Sequence, residues 1–96
     1  MSERISISSG TLGVGEGSVW TGRILLVACT ILTDKSNDAT ITLYTGTGDD
    51  KEIIWKYKVP GSSDGTGRNF SSLLFKNGLS YKLEGLGSEV YLERLS

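Results

Sequence analysis

The sequence predicts an all-β protein, a single small antiparallel β-sandwich or barrel of about seven strands. Residues 23–32 are almost entirely apolar at both odd and even positions, which is typical of a strand buried on both faces. Residues 39–44 and 53–59 alternate between apolar and polar residues, as strands do when one face meets a core and the other meets water. No window shows helical periodicity, so these three segments predict the centre of a small β fold.

The other strands lie between turn-forming segments. The glycine-rich residues 10–18 are predicted as a loop, and so are residues 60–69, because Pro60 cannot donate to a ladder and ends the strand before it. The pair Asn77-Gly78 tolerates positive φ and predicts a hairpin. Residues 10–96 are predicted as one domain, with residues 1–9 as an N-terminal arm or edge strand. In chain order, the predicted strands are 1–9, 22–33, 39–45, 51–59, 70–75, 79–84 and 89–95.

Alternation also assigns side chains to faces. In the fourth strand, Trp55 is in phase with Ile53 and Val59, so these residues are predicted to face the core. Ile54, on the other face with charged neighbours, is predicted to face solvent. In the N-terminal segment, Ile5 and Ile7 share one face.

The charge balance bears on possible partners. The chain has ten basic and eleven acidic residues, a net charge of -1. This argues against nucleic acid, which calls for a basic excess, and against attraction to an anionic membrane. The longest apolar run, of about ten residues, is too short to cross a bilayer as a helix. We therefore expect the protein to be made in the cytoplasm, with neither nucleic acid nor membrane as a partner.

Catalytic and metal-binding chemistry has little support. The chain has no histidine to activate a nucleophile, and its single cysteine, Cys29, lies in the apolar strand and is predicted as a buried structural residue. The turn carboxylates lack the Asp-x-Asx-x-Asx-Gly spacing of a calcium loop. We therefore predict a protein that is not an enzyme, with no cofactor and no metal.

Aromatic residues offer one candidate for recognition. Trp20 lies between Gly17 and Gly22, outside clear alternation, and is predicted to anchor a partner, with simple loop packing as the alternative. A sugar-stacking platform could also be drawn from the aromatic residues, although aromatics in strands are usually core or cross-strand partners. The residues concerned are Trp20, Tyr44, Trp55, Tyr57, Tyr81 and Tyr91.

The strand Ala39-Thr40-Ile41-Thr42-Leu43-Tyr44, followed downstream by Asn77-Gly78-Leu79 before the last two strands, resembles small virion proteins of tailed bacteriophages and prophages. This resemblance spans roughly residues 20–95. It implies an all-β capsid decoration or cement protein on the virion surface, with the major capsid protein as partner and a homo-oligomer, a trimer favoured. The alternative is a carbohydrate- or surface-binding sandwich of a phage fibre or tail.

The N-terminal segment has its own expectation. Ordering it costs about 1–2 kcal/mol per residue, more than Ile5 and Ile7 repay by burial, so ladder hydrogen bonds must contribute. We expect the segment to dock on a sheet edge of a neighbouring subunit by strand addition. Its deletion would then leave a folded domain that associates more weakly. The alternative places Ile5 and Ile7 in the protein's own core.

Overall fold

The computed structural model describes residues 2–9, 14–33, 36–46, 51–61 and 65–95. These residues form eight strands, where the sequence predicts about seven. The strands are β1 (Ser2–Ser8), β2 (Val14–Trp20), β3 (Ile24–Leu32), β4 (Ala39–Thr45), β5 (Glu52–Val59), β6 (Gly65–Phe75), β7 (Leu79–Glu84) and β8 (Glu89–Leu95).

The strands form two four-stranded sheets, paired antiparallel throughout. The first sheet has the order β1-β8-β3-β6 and the second β2-β7-β4-β5. Only β4 and β5 are neighbours both in the chain and in a sheet, and every other connection crosses between sheets. This strand order is the eight-stranded jelly roll, in which two Greek keys build the two sheets. The predicted antiparallel β-sandwich is therefore confirmed.

The core lies between the two sheets. Alternate residues of the central strands point inward, and most of them are fully buried. The largest fully buried side chains are Phe75, Ile24, Leu26, Ile31, Ile41, Leu43, Leu79, Leu83 and Leu92. The prediction for β3 is right for one face only. Leu25 and Val27 are half-buried, because within the described residues no further layer covers the outer face of this sheet.

Two predicted loops are wrong in part, because both contain strands. Residues 14–20 form β2, and residues 65–69 begin β6. Glycine indicated turns there, but glycine in a strand can instead mark a close backbone approach. A Cβ on Gly15 would lie 2.7 Å from the carbonyl oxygen of Ser8, so this glycine permits β1 and β2 to approach.

A change of register corrects the predicted faces of β5. The pairing with β4 shifts between Leu43 and Tyr44, so that Trp55 lies opposite Leu43 but Ile53 lies opposite Tyr44. A bulge of this kind reverses the direction of every residue beyond it. Ile53 is accordingly 56% exposed, whereas Ile54 packs against the core.

The Asn77-Gly78 turn forms, but it does not make a hairpin. Gly78 has a φ of 88°, as the sequence suggests, and the backbone N–H of Asn77 donates to Oγ1 of Thr45 at 2.9 Å. The flanking strands β6 and β7, however, belong to different sheets. Local turn chemistry sets the reversal of the chain, while burial of both apolar faces sets the partners of each strand.

Cys29 is fully buried on the inner face of β3, as predicted. Burial raises the pKa of its thiol to about 12, so almost no thiolate forms at neutral pH. We expect a thiol reagent to label Cys29 only under denaturing conditions, which mass spectrometry of the native and urea-treated protein would measure. Rapid labelling of the native protein would contradict the central position of β3.

Asp38 predicts a pH dependence of stability. Its Oδ1 accepts the backbone N–H of Gly61 at 2.7 Å, and its Oδ2 lies 3.3 Å from Nζ of Lys58. The hydrogen bond and then the ammonium group hold the pKa of this carboxyl below its ordinary value. A lowered folded-state pKa stabilises the fold above the unfolded-state pKa, and this stabilisation is lost as pH falls through the folded-state value.

We therefore expect Asp38→Ala to lower the free energy of unfolding at pH 7. The difference in this free energy between the variant and the parent protein is expected to be smaller in acid. Urea titrations of both proteins at pH 7 and pH 3 measure it. If the free energies of unfolding of the two proteins differ equally at both pH values, the ionised carboxylate contributes nothing to stability.

Candidate functional surface

The first candidate surface is the edge of the first sheet formed by β1. Seven consecutive residue pairs join β1 to β8 of the same chain, and Ile5 and Ile7 are half-buried against the core. The structure therefore places both isoleucines in the chain's own sandwich, which is the alternative to a segment docked elsewhere. Removing residues 1–9 would uncover core side chains and the backbone of β8, so the expectation that the remaining domain stays intact does not fit this arrangement.

A charged hydrogen-bonded pair links the start of β1 to β8. Nε and Nη2 of Arg94 donate to Oε1 of Glu3 at 2.9 and 2.6 Å, and the same guanidinium lies 4.8 Å from the ring centroid of Trp20. Trp20 is only 9% exposed and belongs to the core. Its indole is thus occupied by packing and by Arg94, and this placement does not support its prediction as an anchor for a partner.

The four edge strands are β1, β2, β5 and β6, and they differ in how their backbone is protected. Sheet edges invite pairing with another chain, and proteins discourage it with bulges, prolines and charged side chains, lysine above all. β2, β5 and β6 each pair through a ladder with a register shift. β2 and β6 also contain glycines, and β5 carries Lys56 and Lys58 and ends before Pro60.

β1 is built differently from those three strands. Its ladder has no register shift, and its sequence contains no glycine, proline or lysine. Beside it, Arg4, Ile5, Ser6 and Tyr91 line a shallow hollow of about 390 Å³. The hydroxyl of Tyr91 donates to Oε2 of Glu89 at 3.0 Å, which raises the pKa of this tyrosine. β1 carries the charged residues Glu3 and Arg4, but it is a regular edge without the bulge, glycines or lysines found in the other three.

The second candidate surface is a row of leucines on the outer face of the first sheet. Leu25 on β3 lies opposite Leu95 on β8 and opposite Leu74 on β6. These three residues, which we name the leucine row, lie side by side across the sheet. Leu95 is 49% exposed, and Leu25 and Leu74 are half-buried. Leu95 also pairs with Ser2, so the row begins where β1 begins.

Other aromatic residues pack together at the side of the sandwich where β5 and β6 lie. The rings of Trp55 and Tyr57 stack at 5.6 Å, Phe70 meets Trp55 edge-on at 5.4 Å, and the guanidinium of Arg68 lies 4.3 Å from the centroid of Tyr57. Trp55 and Tyr57 both belong to β5, and the contacts that Phe70 and Arg68 make with them join β5 to β6. These contacts give the three aromatic residues the packing role that is usual for aromatics in strands, and they do not favour the sugar-stacking platform predicted from Trp55 and Tyr57.

A cavity of about 280 Å³ lies at one end of the second sheet, lined by Glu16, Gly17, Ser18, Gly46, Lys51, Ser80 and Tyr81. These residues are far apart in the sequence, in β2, β7 and both ends of the β4–β5 connection, so no local sequence pattern predicts the cavity. Among the residues that the structure describes, no group of three or more Asp, Glu or Cys side chains could hold a metal ion. The same ranges contain no helix long and apolar enough to cross a membrane.

Comparison of the chain with protein-family models and with curated proteins finds no match in either set.

Proposed function

We propose that this protein is a structural component of a bacteriophage virion, a capsid decoration or cement protein that bridges major capsid subunits. The observation that carries the proposal is the regular β1 edge, next to the leucine row, on a jelly-roll sandwich. Jelly rolls form viral capsid domains but also lectin domains and cupins, so the fold by itself leaves the function open. The resemblance of residues 20–95 to small phage virion proteins favours the capsid.

The geometry supplies a mechanism for the bridge. The free side of β1 offers backbone N–H and C=O groups to an extended segment of a capsid subunit, which adds as a further strand. At the start of β1, the leucine row offers apolar surface that the same subunit, or its neighbour, covers. Backbone pairing then provides orientation, and burial of leucine provides binding energy, at about 25 cal/mol for each Å² of apolar surface.

The test uses purified particles and a pair of matched variants. The native protein is expected in particles at a copy number comparable to that of the major capsid protein, measured by quantitative mass spectrometry. Leu95→Lys places a charge in the leucine row and is expected to reduce occupancy at least about tenfold, which corresponds to about 1.4 kcal/mol. Ile53→Lys, at an exposed position of the second sheet, is the control and is expected to attach normally.

Two outcomes would contradict the proposal. If the native protein occurs only in the cytosol of infected cells and never in particles, it is not a virion protein. If both lysine variants fold and attach as well as the native protein, the leucine row is not the contact surface. Sedimentation of the purified protein tests the accompanying expectation of a homo-oligomer, with a trimer favoured.

A further inference from the structure

The free side of β1 presents a defined set of backbone groups. The N–H of Ser9 donates to the carbonyl oxygen of Ser88 at 3.3 Å, one pair beyond the end of the β1–β8 ladder. Opposite residues in an antiparallel ladder alternate between pairs that exchange hydrogen bonds and pairs that do not. Counting back from Ser9, the odd-numbered residues of β1 bond to β8, whereas even-numbered residues such as Arg4 and Ser6 direct their N–H and C=O groups outward. Within the described residues, no strand pairs with that side of β1.

These outward groups are accessible except at the end of the strand. Beside Ser8 the space is taken by β2, since a Cβ on Gly15 would lie only 2.7 Å from the carbonyl oxygen of Ser8. Residues 4–6, by contrast, line the shallow hollow of about 390 Å³. The middle of β1 therefore has room for an incoming strand.

One register suits a second copy of β1. Outward-directed residues must face one another across a two-fold axis, so the axis passes through a residue. An axis at Arg4 would place two guanidinium groups directly opposite, and an axis at Glu3 two carboxylates, and like charges in that position are destabilising. An axis at Ser6 or beyond would require pairing at Ser8, where β2 lies. With the axis at Ile5, Arg4 of each copy pairs with Ser6 of the other, and the two isoleucines meet.

We propose that β1 pairs antiparallel with β1 of a second copy about a two-fold axis at Ile5, which joins the first sheets of two molecules into one continuous sheet. The charge of Arg4 is compensated within its own chain, because Glu93 lies opposite on β8 and the ring centroid of Tyr91 lies 5.4 Å from the guanidinium carbon. The pairing covers a regular edge that would otherwise accept other chains. A contact limited to one strand is small, so we expect a Kd in the micromolar range or weaker.

This inference concerns the free protein and does not rest on the proposed function. In a particle, a capsid segment would take the place of the second copy at the same edge, which a weak dimer permits. The two-fold axis gives a dimer, in place of the trimer that the resemblance favours. A protein that stays monomeric in solution could still attach to particles, so the failure of one proposal is distinguishable from the failure of the other.

Sedimentation equilibrium of the full chain, from about 10 μM to about 1 mM, tests the dimer. Ser6→Pro removes one outward N–H and leaves the β1–β8 ladder intact, because proline is tolerated in an edge strand where the N–H faces away from the sheet. Ser6→Ala keeps this N–H at the same exposed position and is the matched control. We expect the native protein and Ser6→Ala to dimerise equally, and Ser6→Pro to associate at least about tenfold more weakly. A monomer at every concentration, a trimer, or equal association by folded Ser6→Pro would overturn the proposal.

Disulfide cross-linking tests the register, and it decides the matter if Ser6→Pro does not fold. Ile5→Cys places two thiols across the axis, in a pair without hydrogen bonds whose Cα atoms lie about 4.5 Å apart, within the span of a disulfide. Ile7→Cys is the matched control, since it also replaces a half-buried isoleucine of β1 but lies opposite Glu3 of the other copy, so its two thiols are far apart. The native thiol of Cys29 is buried in both variants.

We expect mild oxidation to convert Ile5→Cys, but not Ile7→Cys, into a covalent dimer on a non-reducing gel. Absence of the covalent dimer in folded Ile5→Cys would contradict the proposed pairing. Equal cross-linking of the two cysteine variants would contradict it as well, because chance collisions in solution would then explain both.

Discussion

Replacing Leu92 by alanine is expected to lower the free energy of unfolding by about 2–5 kcal/mol, because burial is lost and a cavity remains. Leu92 is fully buried near the middle of β8, where it lies opposite Ile5 on one side and Cys29 on the other. The neighbouring strands are held by their own ladders and cannot collapse into the space. Small domains are stable by only about 5–15 kcal/mol, so this loss is a large share of the total.

Leu95→Ala is the matched control, since it makes the same change three residues further along the same strand. Leu95 is 49% exposed, and its truncation is expected to cost no more than about 1 kcal/mol. Urea unfolding followed by tryptophan fluorescence measures both variants. If both substitutions lower the free energy of unfolding equally, the assignment of the inner and outer faces of β8 is wrong. The position of the leucine row would then be wrong as well.

Gly85→Ala is expected to destabilise the fold by about 2–5 kcal/mol, through backbone strain and overlap together. Gly85 has a φ of 126°, a conformation that residues with a Cβ rarely adopt, and an added Cβ would overlap the carbonyl oxygen of Asp38. The carbonyl of Gly85 also accepts hydrogen bonds from the N–H and the hydroxyl of Ser88, at 3.2 and 2.6 Å. The turn that leads from β7 to β8 therefore has little room to adjust.

Gly22→Ala separates the two causes. Gly22 also has a positive φ, of 79°, but an added Cβ there would have nothing within 4 Å. Gly22→Ala is expected to lower the free energy of unfolding by about 1 kcal/mol, the cost of the backbone conformation alone. Thermal and urea unfolding of both variants give the comparison. Equal losses would mean that the contact between Gly85 and the backbone of Asp38 does not restrict the turn.

The candidate surfaces show why recognition was harder to predict than the fold. Alternation in the sequence indicated Ile5 and Ile7, and the structure places both on β1, the regular edge strand. The leucine row was not predicted, because residues 25, 74 and 95 become neighbours only through the pairing of three strands. The cavity at one end of the second sheet was missed for a similar reason, because its lining residues come from β2, β7 and both ends of the β4–β5 connection.

The sequence by itself determined the all-β class, most strand positions and the burial of Cys29, because alternation and turn residues act over a few neighbouring residues. Only the tertiary structure decided which strands pair, that Asn77-Gly78 joins two sheets, and that Ile53 faces solvent while Trp20 is buried. Those outcomes depend on contacts between residues far apart in the chain. A one-residue register shift reverses the face of a side chain, and the local sequence pattern does not report such a shift.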